Sequence, residues 1–156
     1  MAIYKFTHRQ DEWIQTNLNR KNFENRWIKI ENNGKITLKG AQEQGYSWDG
    51  CSPKWKILGK IIGTPDGRID PKTNKPKTYY ASMFHDAIYQ YKNTQAMKIS
   101  RKEADLIFLI MLKKAKFRFW RVYYLGVRIG GGFYGKWRTT SSQLPIEVSE
   151  YSWISD

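Results

Sequence analysis

The chain has 156 residues, of which 40% are hydrophobic: enough for one domain around one core. Its single cysteine, Cys51, excludes an internal disulfide framework and a multi-cysteine zinc site. The net charge of +13, from 27 Lys and Arg against 14 Asp and Glu, attracts phosphate: nucleic acid, anionic lipid or another phosphate-bearing partner.

Met1 to Gln10 is polar and lacks the apolar stretch of a signal peptide. The longest unbroken apolar run, Leu106 to Leu112, is far too short for a transmembrane segment. No internal repeat or low-complexity linker interrupts the chain, so residues 1–156 read as a single domain.

Met1 to Gly40 reads as β-rich. Trp27–Glu31 and Lys35–Lys39 alternate apolar and polar residues around Asn32-Asn33-Gly34, a hairpin signal, because Asn and Gly both accept positive φ. Arg9 to Lys21 stays open between a short amphipathic helix and a strand. Gln44 to Lys77 is rich in loop signals, and Asp70–Lys77, apolar only at its prolines, is expected to be an exposed loop.

Two helices follow. The first is expected from Tyr79 to Lys92, with Thr78 as N-cap and Ala81, His85, Ile88 and Tyr89 on one face. The second starts at Ser100, where Ser100-Arg101-Lys102-Glu103 forms a capping box, and runs to about Lys116. Asn93 to Ile99 is short, so the two helices should be antiparallel neighbours. Arg118 to Ile129, helical or extended, interleaves aromatics with arginines and ends at Gly130-Gly131-Gly132. It could lie on a membrane surface, stack bases, or fill the core with its arginines at the rim. Thr139 to Asp156 is weakly patterned. The fold class is therefore α+β: an N-terminal β-rich part packed on an antiparallel helix pair, with a third aromatic and basic segment. Basic charge should be displayed by Lys54–Lys77 and by the rim of Arg118–Arg138.

Asp105 precedes Phe108, Leu109 and Leu112 by three, four and seven residues, so its carboxylate points with an apolar stripe and needs a partner. The midpoint of His85 and Asp105 is residue 95, close to the centre of the turn between the helices. In an antiparallel pair the two side chains then lie at one height. One imidazole nitrogen of His85 can bond Asp105, leaving the other for general-base chemistry or leaving the pair as a satisfied core contact. Tyr89, one turn beyond His85, can brace the pair through its hydroxyl. Asp86 projects about 100° away around the helix and can serve a metal or a backbone cluster rather than the same imidazole.

His85-Asp86-Ala87-Ile88-Tyr89 followed by Ala104-Asp105-Leu106-Ile107-Phe108 resembles the paired helices of phospholipase A2 enzymes, most closely the parvovirus capsid form. From Gly45 to Gly131 the chain also resembles an uncharacterised domain family of tailed phages. That pattern comprises Trp48-Asp49-Gly50 with Ser52-Pro53, the His85 helix, Ser100 to Phe108, and Tyr123-Tyr124 with Val127-Arg128. The phospholipase resemblance implies that His85 activates water, Asp105 orients His85, Tyr89 supports them and Asp86 binds calcium. It also implies backbone ligands from a YxGxG loop, which this chain lacks. Gly63-Thr64-Pro65-Asp66-Gly67, 18 to 22 residues before His85, is the nearest substitute, so Gly63 and Gly67 are the candidate calcium-loop glycines. Three readings follow. One is a phage-encoded phospholipase A2-like hydrolase acting in the host cytoplasm or from the virion. The second is a non-catalytic virion or host-interaction protein keeping the His-Asp network structurally, in contact with other virion proteins. The third is a basic nucleic-acid-binding module.

Overall fold

The computed structural model describes residues 4–20, 22–42, 44–48, 50, 67–92, 98–130, 137 and 141–154. The fold is α+β: antiparallel strands first, then three helices, the first two an antiparallel pair. Strands β1 (Phe6–His8), β2 (Asp11–Thr16), β3 (Phe23–Glu24), β4 (Ile28–Ile30), β5 (Lys35–Lys39) and β6 (Tyr46–Trp48) precede the helices. Next come β7 (Ile69–Asp70), β8 (Lys75–Pro76), α1 (Tyr79–Gln90), α2 (Arg101–Lys114), α3 (Trp120–Gly130) and β9 (Val148–Tyr151).

The main sheet is antiparallel, in the order β3-β4-β5-β2-β9. Alternation decides its buried face. Ile14 pairs with Ile36 and Glu12 with Leu38, while Ile28 and Ile30 continue that face on β4. The open segment Arg9–Lys21 thus contributes a strand, its buried residues Glu12, Ile14 and Thr16 recurring with period two. The Asn32-Asn33-Gly34 hairpin forms, but with a three-residue loop. The Glu31 N–H donates to Lys35 O at 2.9 Å, and only Gly34 takes positive φ, 88°. A β-carbon there would lie 2.2 Å from the Thr16 carbonyl oxygen, so the turn is pressed against β2.

Two expected loops carry strands. Tyr46–Trp48 pairs with β1, Phe6 opposite Trp48, and β7 and β8 close Asp70–Lys77 into a small, partly exposed hairpin. The weakly patterned tail supplies β9, which pairs with β2. The partners of β6 and β9 are far apart in sequence, so local pattern could not announce them.

Helix α1 starts where expected and ends two residues early, at Gln90, and its burial wraps beyond one face. Tyr79, Ala81, Ser82, Met83, Phe84, His85, Ala87, Ile88 and Tyr89 are all buried. It lies between other layers: the Trp48 indole N–H donates to Ser82 on one side, and His85 stacks near Phe108 of α2 on another. Thr78 holds the N-cap position without a side-chain capping bond, and α1 has no acid in its first turn or base in its last. Its stability therefore comes from packing. Helix α2 is specified locally. Both halves of the Ser100/Glu103 capping box form, and Lys113 and Lys114 sit in the last turn. The buried Glu103 carboxylate also accepts from the Gln143 backbone N–H and from Arg20, tying α2 to two distant segments. Arg118–Ile129 resolves as a helix from Trp120 that buries Tyr123 and Val127; Trp120 and Tyr124 pack half-buried against the core, and Phe119 is exposed. The buried residues of sheet and helices form one hydrophobic cluster.

Candidate functional site

Helices α1 and α2 bring three of the expected residues together. His85 Nε2 lies 2.8 Å from Asp105 Oδ1, and the Tyr89 hydroxyl donates to the same oxygen at 2.5 Å. The second carboxylate oxygen accepts from Arg128 Nη1 of α3 at 2.8 Å. Asp105 is 0% exposed and His85 is 3% exposed. A buried carboxylate is tolerable only with such partners, and here it has a formal counter-charge plus two further hydrogen-bonding groups. With Asp105 acting as a carboxylate toward Arg128, His85 Nε2–H is the donor. In the neutral imidazole, Nδ1 then carries the lone pair.

That second nitrogen faces Asp86, 4.0 Å from its Oδ1. Asp86 keeps about a fifth of its side chain exposed. Together with Trp27, Tyr46, Trp48, Tyr89 and Lys92 it lines a cleft of about 550 Å³ between β6 and α1. Two tyrosines of that cleft, Tyr46 and Tyr89, are held protonated well above the ordinary phenol range. For Tyr89 the main cause is burial, followed by the charge of Asp105 and their hydrogen bond, partly offset by Arg101 and Arg128. For Tyr46 it is burial, followed by the charge of Asp86. Tyr89 is thereby a persistent donor to Asp105.

Gly67 is not brought to this group. It packs on Phe117, 2.8 Å from where its own β-carbon would be, with φ 78°. Phe117 lies past the C-terminal end of α2, whereas Asp105 is in that helix's second turn, about 14 Å away by helical rise to Lys114. Gly63, Asp49, Cys51, Ser52-Pro53, Lys54–Asp66, Gly131-Gly132 and Arg138 lie outside the described residues. Among the described residues no three His, Cys, Asp or Glu side chains converge on a common metal position. Asp86 alone does not make a calcium cage, because that ion takes six to eight oxygen ligands.

Arg128 is the member that sequence reasoning missed. It belongs to the segment expected to display charge, yet its guanidinium turns inward to Asp105. The signal lay in helical phase: Arg128 follows the buried Val127 directly and borders the face that α3 lays on α2. Arg118 and Arg121, in contrast, are exposed as expected.

A second polar cluster lies apart from the cleft. His8 bridges Glu12 and the Tyr79 hydroxyl, each at 3.0 Å, and Ser152 donates to Glu12. It joins β1, β2, α1 and the segment after β9. No curated protein and no solved structure matches the chain. No described helix is long and apolar enough to cross a membrane. Residues 70–127, which run from β7 into α3 and contain His85, Asp86, Tyr89 and Asp105, match the family model described as protein of unknown function, DUF1353.

Proposed function

We propose that the chain is a hydrolase of the phospholipase A2-like type, with His85 as general base and Asp105 as its positioning residue. The observation that carries this reading is the bond from His85 Nε2 to a fully buried, doubly braced carboxylate, with Nδ1 4.0 Å from Oδ1 of Asp86, a residue that lines the cleft. In the proposed step, Nδ1 takes a proton from a water admitted beside Asp86. The resulting hydroxide attacks an ester carbonyl, and the imidazolium returns the proton to the leaving alkoxide. Asp105 stabilises the transient positive ring, while Tyr89 and Arg128 keep the carboxylate from swinging away. The motif resemblance extends the proposal to a phage protein working in the host cytoplasm or the virion, and to calcium, which would polarise the carbonyl.

A specific observation favours a second reading. His85 is 3% exposed, and Arg128 pins α3 to the same carboxylate. The network is then a strut joining three helices in a non-catalytic protein. The deciding experiment is fatty-acid release from vesicles of zwitterionic and anionic phospholipid, with calcium and with chelator. The hydrolase reading expects turnover that His85→Gln abolishes while the fold is kept. Wild-type release no greater than that of His85→Gln would leave the strut as the function of the network.

A further inference from the structure

Helix α3 presents two opposed faces. At about 100° per residue, Val122, Leu125 and Ile129 fall within an arc of about 60°, on the side away from the buried Tyr123 and Val127. Their exposures are 52%, 59% and 56%, and Phe119, just before the helix, is 48% exposed. Four large apolar side chains in a row facing water mark a contact surface. Cations surround them. Lys113, Lys116, Arg118 and Arg121 are exposed around the start of the helix. Lys113 Nζ and Arg121 Cζ lie 4.6 and 5.0 Å from the half-buried Trp120 ring.

We infer that α3 is an interfacial helix that seats this molecule on an anionic lipid bilayer, with Phe119, Val122, Leu125 and Ile129 among the upper acyl chains. Arg118, Arg121, Lys113 and Lys116 meet the phosphates, and Trp120 sits at headgroup level. Eleven residues rise about 16 Å, so the helix lies in the plane of the membrane and does not cross it. Charge selects the occupant. A second copy of this +13 chain docked through α3 would bring like cations together. A nucleic acid would find one ring, Phe119, in an otherwise aliphatic stripe that cannot stack bases. The inference does not need His85 to turn over, and its test reads binding alone, so it can fail or hold separately from the hydrolase reading.

The test is co-sedimentation of the whole chain with phosphatidylcholine vesicles containing about one third phosphatidylserine, against pure phosphatidylcholine vesicles. Wild type is expected on the anionic vesicles, with retention falling as salt rises. Leu125→Ser/Ile129→Ser and Arg118→Gln/Arg121→Gln should each lower partitioning about tenfold. All four substituted positions are exposed, so circular dichroism and thermal unfolding should match wild type, and either pair suffices if the other misfolds. Absence of wild-type binding, or retention unchanged in a folded double variant, overturns the inference. So does concentration-dependent dimerisation that Leu125→Ser/Ile129→Ser abolishes, since the stripe would then join two copies.

Discussion

Asp105→Ala removes the acceptor shared by three side chains. His85 and Tyr89 are buried, and each left without its acceptor costs about 1–3 kcal/mol. The Arg128 side chain is 30% exposed and can turn its guanidinium to water, so its loss adds only about 0–1 kcal/mol. Deleting the carboxylate also removes its desolvation cost, which brings the expected net loss to about 2–5 kcal/mol. Arg128→Met keeps Asp105 with two of its three partners and should cost about 1.5–3 kcal/mol, the range of a hydrogen bond to a charged group. Because the two residues share one bond, the double variant should be less destabilised than the sum of the singles, by about 1–2 kcal/mol. Urea unfolding of the four proteins, followed by far-ultraviolet circular dichroism with slopes compared, measures all of this. An Asp105→Ala loss below about 1 kcal/mol, or strict additivity with Arg128→Met, would refute the claim that the network braces the three helices.

Further expectations concern backbone and pH. Gly34→Ala should destabilise by more than about 1 kcal/mol, because φ is 88° and the new methyl meets the Thr16 carbonyl; an unchanged urea midpoint would contradict the turn geometry. Burial, and secondarily the charge of Glu12, pushes Tyr79 up to about 12. A phenol whose folded value exceeds its unfolded value near 10 contributes stability that is complete below pH 10 and is lost as pH rises through about 12. Burial raises Tyr46, Tyr80, Tyr89 and Tyr151 as well, so alkaline unfolding and phenolate absorbance should rise together; ionisation of these tyrosines well before unfolding would count against it.

Where residues close in sequence decide a feature, it was legible. The capping box of α2 needs only Ser100 and Glu103, and the hairpin needs alternation around a glycine. The His85–Asp105 pair follows from helical period and a short turn. Tyr89 joins it because one helical turn separates it from His85. What the sequence left undecided depended on distant partners. Asp11–Thr16 is a strand because β5 and β9 flank it, and Tyr46–Trp48 is one because β1 pairs with it. Arg128 could be read as surface charge until the packing of α3 set its phase and turned the guanidinium onto Asp105. The same packing left Val122, Leu125 and Ile129 facing water. An amphipathic segment states that it has two faces, but only the tertiary structure shows which of them the core covers. Likewise Gly67, near enough in sequence to serve His85, is held against Phe117 because the β7–β8 hairpin returns the chain to the C-terminal end of α2, where Lys77 bonds Lys116, and only α1 then carries His85 along to Asp105.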